Sequence, residues 1–321
     1  MVQRILRKLN TWLIDRFGEF KALRIIVFLI SIRDLITSTF VNWIDDDIPL
    51  HGAALAFYTI FSLAPLLIIA IAISGFIFGE QAATGQVSAF LDEMVGIKVA
   101  SFVENIISGA NHTFKNVIAT IIGVGTILFT STTVITQLKS SLNTIWNVEV
   151  KAGYTLKQFF ISRFTSFILV IGFVLLLVSS LLFDAILGVF GNEISNILPE
   201  QIAFLKLINY LLFVVVTTLL FTVIFKMLPD IKIAWFDSMI GAIVTTLLFM
   251  AGRYFITFYL GQGDVGSTYG AAGTFVVFLI WIYYNSLTVF LGAEFTHQYT
   301  IRFGSGVTVP KHARFRRRSK S

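Results

Sequence analysis

Residues 271–300 read AAGTFVVFLIWIYYNSLTVFLGAEFTHQYT, and this stretch decides the fold. It holds one formal charge, Glu294, in thirty residues. As a helix it reaches ~45 Å. A bilayer core of ~30 Å needs ~20 apolar helical residues, so the segment is long enough to cross. Its apolar residues do not alternate with period two, which separates it from a barrel strand.

Five further segments match it: Gly52–Phe78, Asn116–Leu138, Phe164–Phe190, Ile202–Leu228 and Trp235–Leu260. The composition agrees. Apolar residues make up 56% of the 321 and charged residues 13%, against ~25% charged in soluble domains. The mean hydropathy is +0.84. The fold class that follows is all-α: a polytopic membrane protein with six transmembrane helices. The organisation is an amphipathic stretch over 1–50, a spanning domain over 51–300 and a basic tail over 301–321. The absence of cysteine removes disulfides, thiolate metal clusters and thiol nucleophiles from consideration. No cleavable signal peptide is expected, since the first long apolar run with suitable flanks starts some fifty residues in.

Ile25–Ile32 is a seventh apolar run, but Arg24, Arg33 and Asp34 bracket it. Eight helical residues reach only ~12 Å, so Thr11–Ile44 is expected to lie at the interface as one or two amphipathic helices. Basic residues then set the direction. With six spans, both ends and the second and fourth loops hold twenty Lys and Arg on one side, against Lys98 and Lys115 on the other. The positive-inside bias puts both termini in the cytoplasm, and the localisation expected is the bacterial inner membrane.

Outside the spans, the 79–115 loop repeats apolar residues at spacings of three and four, as in Val87, Phe90, Leu91, Met94, Phe102, Val103, Ile106 and Ile107. That pattern predicts an extracytoplasmic amphipathic helical loop. The tail carries Arg314, Arg316, Arg317 and Arg318. Such a cluster contacts anionic headgroups, although a solvated, disordered topology determinant is the simpler account. Membrane lipids are the expected partners. No specific nucleic acid partner and no cofactor are expected.

Ionisable groups inside a span are costly and mark functional candidates. Arg253 lies about 10 Å from the outer end of its span and Asp184 about 9 Å from the outer end of its own, so they are expected to pair. A pair that only locks helix packing is the competing account. Glu294, near the inner end of the sixth span, is expected to meet Lys226, Arg163 or the headgroups. His297 follows one turn later on the same face. Tyr58 and Ser62, Thr130 to Thr133 with Gln137, and Asn285 lie between the midplane and the inner face, where they could line a polar cavity. Ordinary helix–helix hydrogen bonding, worth ~0.6 kcal/mol each, competes with that reading. Pro65 should loosen the first span. The site expected therefore comprises Tyr58, Ser62, Pro65, Thr130, Thr132, Asp184, Arg253, Asn285 and Glu294, with no catalytic or metal-ligating residue. The carboxylate triplet Asp45, Asp46 and Asp47 reads as a helix-capping turn.

Several motifs occur in order: His51-Gly-Ala-Ala-Leu-Ala-Phe-Tyr58, Ser141-Leu-Asn-Thr-Ile-Trp146, Leu228-Pro229, Tyr269-Gly-Ala-Ala-Gly273, Trp281 and Leu291-Gly-Ala-Glu294. This set resembles the YihY/BrkB family of bacterial inner-membrane proteins, from about Asp45 to Gln298. The resemblance implies six helices and unsettled biochemistry. It carries an old ribonuclease label regarded as mistaken and a suspected transport or lipid-translocation role. The function expected is a transporter or translocator of lipids or small molecules, with an envelope scaffold as the alternative and a hydrolase or ribonuclease third.

Overall fold

Proline sets the bounds of the helix over Pro199–Met227. Pro199 stands at its start, where its missing N–H costs nothing, and Leu228-Pro229 prevents its continuation. In the computed structural model, residues 19–62, 133–151, 199–262 and 273–316 are described, with side chains over 26–62, 133–151, 210–252, 254 and 275–316. The helices are α1 (Glu19–Asp45), α2 (Ile48–Ser62), α3 (133–145), α4 (Pro199–Met227), α5 (Trp235–Gln262) and α6 (Gly273–Arg302). Two short strands, β1 (Val148–Val150) and β2 (Ala313–Phe315), complete the described elements. The expected 79–115 loop and the 164–190 span lie outside the described residues, as does most of the 116–138 span.

Helices α4, α5 and α6 coincide with the apolar segments 202–228, 235–260 and 271–300 to within three residues at every end. Each contains a segment long and apolar enough to cross a membrane: Tyr210–Met227, Trp235–Gly252 and Phe275–Arg302. A fourth such segment, Ile26–Asp45, belongs to α1. This differs from the short, bracketed run expected there. Arg33 and Asp34 pair with each other at 2.8 Å, so they do not interrupt the helix. Val27, Phe28, Leu29 and Ile30 are all between 42 and 57% exposed, so that turn packs on no face. Further along, Leu35 and Thr39 are buried, and Arg302 at the end of α6 donates to Ser38 Oγ at 2.7 Å.

Small residues decide how closely the long helices approach. A Cβ added at Gly241 would lie 1.7 Å from Thr296 Oγ1, and one at Gly292 would lie 1.8 Å from Thr245 Oγ1. One at Gly252 would meet the Tyr284 ring at 2.0 Å. Position numbers fall on α5 as they rise on α6, so the two helices run antiparallel. Gly241-x-x-x-Thr245 and Gly292-x-x-x-Thr296 form a reciprocal seam, with each glycine receiving the other helix's threonine. Both threonine hydroxyls donate to their own helix, Thr245 to Gly241 O at 2.8 Å and Thr296 to Gly292 O at 2.7 Å. Helix α4 packs on α5 through the Thr218–Thr246 hydroxyl bond at 3.1 Å and the Phe221–Phe249 ring contact.

The buried core sits at one end of this bundle. It joins Ile48 and Leu55 of α2, Leu138, Leu142, Ile145 and Trp146 of α3 and its exit, Phe221 and Phe225 of α4, Ile231 and Ile233 of the α4–α5 loop, and Phe290 and Ala293 of α6. Elsewhere the long helices leave large apolar side chains uncovered, among them Leu211, Val215, Leu219, Leu247 and Ile280. That is the pattern of a helix whose outer solvent is lipid.

The tail departs from the solvated, disordered segment expected. Residues 303–316 fold back on the core end. Strand β2 pairs antiparallel with β1, placing Ala313 opposite Val150 and Arg314 opposite Glu149. Lys232 and Thr308 form a second bridge. The reversal runs through Gly304 and Gly306. Gly306 has φ +83, a left-handed conformation that glycine adopts without cost. Asn147, at φ 53, turns the chain from α3 into β1 in the same way. Composition alone hides this docking, because it depends on backbone pairing and on the burial of Ala313.

Candidate functional site

A polar cluster centres on Asp230, in the short loop after Pro229. Lys139 Nζ approaches Asp230 Oδ1 at 2.9 Å, and Asn143 Nδ2 donates to Oδ2 at 2.9 Å. The Asp230 backbone N–H returns a bond to Asn143 Oδ1 at 2.8 Å. His312 Nε2 lies 3.2 Å from Oδ1. One carboxylate thus fastens α3, the α4–α5 loop and the tail. Burial alone would raise the Asp230 carboxyl, but the bonds from Lys139 and Asn143, the Lys139 charge and the His312 contact outweigh it. The group is held below its ordinary 3.8.

Neighbouring contacts extend this fastening. Lys151 Nζ donates to Lys311 O at 2.8 Å, and Arg314 meets Glu149 at 2.7 Å. Asp237, buried in the first turn of α5, accepts from Ser305 N–H at 3.1 Å. Lys226 donates to Ile233 O and lies over the Trp235 ring at 5.5 Å. His51 Nδ1 is 3.1 Å from Ser141 Oγ, so the start of α2 is tied to α3. The Asp45–Asp47 triplet ends α1 and opens α2, with the Asp47 carbonyl accepting from Leu50 and His51 N–H.

Glu294 is the buried charge that stands apart. It has no exposed surface. Oε1 accepts from Gln298 Nε2 at 2.9 Å. Oε2 has no hydrogen-bond partner among the described residues. His297 Nδ1 comes within 3.5 Å of Oε1 but makes no hydrogen bond, and its ring packs on Trp146 with centroids 4.7 Å apart. The expected contact with Lys226 is not made, since Lys226 is held by Ile233; Arg163, the other expected partner, lies outside the described residues. Nor does Glu294 reach out to headgroups: zero exposure corrects that expectation. His297, at 12% side-chain exposure, is a core-facing residue and not an interfacial one.

The other expected site residues are dispersed. Ser62 is buried and donates to Thr59 O at 3.1 Å. Asn285 donates to Trp281 O at 2.7 Å. Both bonds return to the residue's own helix, which is how polar groups are satisfied in packed interfaces. Tyr58 is 37% exposed, with Phe57 against its ring. No bond joins Tyr58 or Ser62 to Asn285 among the described residues. Arg253 falls on α5 one residue after Gly252, level with Tyr284, and its side chain lies outside the described residues. Pro65, Thr130, Thr132 and Asp184 also lie outside them, so the Arg253–Asp184 pair is not part of this description.

Asp230, Asn143, Lys139 and His312 were missed from sequence. A partial signal existed. Asn143 lies inside the Ser141–Trp146 motif and Asp230 directly follows Leu228-Pro229, so two separated motifs meet at one carboxylate.

The Virulence factor BrkB family model matches residues 39–316. That range takes in α2 to α6, the Asp230 cluster and the docked tail. The ribonuclease-like protein YfkH of Bacillus subtilis is 25% identical over 253 residues, covering 76% of this chain and 86% of its own length. A UPF0761 membrane protein of Aeromonas salmonicida is 26% identical over 271 residues, covering 78% of this chain and 83% of that protein. Another, from Rhodospirillum centenum, is 25% identical over 248 residues, and there the match spans only 52% of the relative. No solved structure matches. With most of its length matched and several helices apolar enough to span, the chain is an integral membrane protein that belongs to the Virulence factor BrkB family.

Proposed function

We propose that this protein moves a lipid or small molecule across the bacterial inner membrane. One observation carries the reading: Glu294 is fully buried within a helix long enough to span, and one of its carboxylate oxygens is unpartnered. A charge in such a place is expensive, and in membrane proteins it marks ion and substrate pathways. Arg253, inside α5, is the second candidate charge on that path. In this reading the chain spans six times with both ends cytoplasmic. The fastened end, with its docked basic tail, faces the cytoplasm. Helix α1 then lies along that face.

The test is reconstitution of the full chain in liposomes, with movement of fluorescent phospholipids and of a panel of small solutes measured against the Glu294→Ala and Arg253→Ala variants. Loss of movement at unchanged folded yield supports the reading. Full movement in both variants removes the site.

The scaffold reading keeps one observation of its own. The docked tail presents Arg314 and Arg316 at the surface, where they suit anionic headgroups. The hydrolase reading, suggested by the name of the Bacillus relative, lacks such support. Among the described residues no three His, Cys, Asp or Glu side chains are grouped so as to hold a metal ion. Metal-dependent RNA cleavage by the purified chain, lost on replacing Asp45–Asp47, would revive it.

A further inference from the structure

A buried carboxylate oxygen without a donor is costly. Leaving a charged group unpaired away from water costs several kcal/mol, and such a group is normally neutralised by a proton or a cation. Glu294 presents that situation within a defined setting. Gln298 Nε2 holds Oε1 at 2.9 Å and so fixes the carboxyl plane. Oε2 is left open. His297 Nδ1 is also without a hydrogen bond, 3.5 Å from Oε1. Spacings of three and four place all three side chains on one face of α6.

Among the described residues, the charged side chains on the elements around Glu294 are engaged elsewhere. On α6 itself, Arg302 bonds Ser38. On α5, Asp237 receives Ser305 N–H, and Arg253 is ten residues, about 15 Å, from the position level with Glu294. From α3 and its exit, Lys139 sits on Asp230, Glu149 on Arg314 and Lys151 on Lys311 O. On α4, Lys226 is bound to Ile233 O. His51 of α2 is bound to Ser141, and on α1 Arg33 pairs with Asp34. Among the described residues, His297 is therefore the titratable group placed to exchange charge with Glu294.

We propose that Glu294, with His297 beside it, is an exchangeable site for one small cation, a proton or a monovalent metal ion, and that this cation couples to the movement proposed above. The site stands on its geometry, and only its coupling to movement rests on the transport reading. Gln298 orients the carboxyl. Oε2 takes the positive charge. His297, at 12% exposure against none for Glu294, links the carboxyl to accessible surface and relays the proton to and from solvent. Trp146 holds the imidazole by its ring contact.

Infrared difference spectroscopy of the full chain in liposomes reads this directly, with no cargo required. Lowering the pH should bring up the C=O stretching band of a neutral buried carboxylic acid. That band should be lost in Glu294→Gln and displaced in frequency in Glu294→Asp, which keeps the acid if the amide variant folds poorly. Adding sodium at constant pH distinguishes the sources. Loss of the band means that the metal ion competes for the site, and an unchanged band means that the proton alone occupies it. A band that persists in Glu294→Gln, or no band responding to pH or sodium, overturns the proposal. A band assigned to Glu294 in a protein that moves no cargo would instead keep the site and remove the transport reading.

Discussion

Gly241→Ala tests whether the α5–α6 seam sets the bundle. The added Cβ would sit 1.7 Å from Thr296 Oγ1, 2.7 Å from its Cβ and 3.0 Å from its Cγ2. Ordinary contact begins near 3.4 Å, so something must move by more than an ångström. Threonine is stiff at χ1, and Thr296 Oγ1 already donates to Gly292 O at 2.7 Å. The side chain cannot swing aside without breaking that bond. The helices must part instead, which also pulls Thr245 off Gly292. Alanine is better than glycine inside a helix by ~1 kcal/mol. Overpacking costs ~1–3 kcal/mol, and more where the backbone must shift. Because the deficit falls on a buried, doubly engaged seam, overpacking wins, and we expect a net loss of about 2 kcal/mol. Thermal unfolding of the purified protein in detergent, followed by circular dichroism, measures it. Gly241→Ala with Thr296→Ala removes two of the three clashing atoms and should recover more than half of the loss. Gly306→Ala serves as the control, since nothing lies within 4 Å and only its positive φ opposes it. The reasoning fails if Gly241→Ala is as stable as the wild type, or if the double variant is no better than the single.

Asp230→Ala should cost roughly 2–3 kcal/mol, below the ~3–5 of a fully buried pair because Lys139 keeps 19% exposure; chemical denaturation in mixed micelles checks it. Because the folded carboxyl is held below its ordinary 3.8, its contribution is fully present above 3.8 and is lost as the pH falls from there through the lower folded value. The wild type should therefore lose stability in that acid window, while Asp230→Asn shows a flatter profile. At the tail, Ala313→Asp puts a charge into the core cluster and should lower the melting temperature sharply. Arg314→Ala, which breaks a pair 63% and 39% exposed, should change it little. The cysteine-free chain suits topology mapping by single-cysteine labelling. Glu19→Cys and Lys311→Cys should react from the same side of inverted vesicles, and opposite-side reaction would make α1 a span.

What the sequence disclosed follows from the range of each interaction. Helices α4 to α6 were legible because an apolar run and its punctuation, such as Leu228-Pro229, are local. The i+3 relation of Glu294 to His297 was legible for the same reason. Helix α1 was expected within Thr11–Ile44, but its apolar length was underestimated. Arg33 and Asp34 were read as bracketing the apolar run Ile25–Ile32, whereas the apolar stretch resumes beyond them and the candidate segment runs Ile26–Asp45. The Asp230 cluster was hidden because its partners come from 82 to 91 positions away. The β1–β2 ladder is three residues long and spans more than 160 positions, and the tail's basic composition pointed to solvent. The hydroxyls of Ser62 and Asn285 were legible as polar groups at depth, but nothing local said that each would turn back to its own helix.

This distribution bears on what the family match means. The motifs that carried the resemblance converge on one end of the bundle. His51 meets Ser141, Asn143 grips Asp230, and Trp146 covers His297. Most of these contacts are fully satisfied and fasten loops to helices. A carboxylate that accepts from Lys139 and Asn143 and also contacts His312 has little left with which to bind a substrate. Residues of this kind would be retained by any chain that keeps the fold, whatever it transports, so the shared motifs testify to architecture before they testify to cargo. Glu294 breaks the pattern. It belongs to the same Leu291–Glu294 motif and lies beside the same Trp146-covered histidine, yet it keeps an oxygen that nothing fills. A group fastened on one side and open on the other is what separates a working residue from a structural one here. Thr300 Oγ1 is buried and unpartnered too, but it carries no charge; the contrast singles out Glu294 from the other buried carboxylates among the described residues, Asp230 and Asp237.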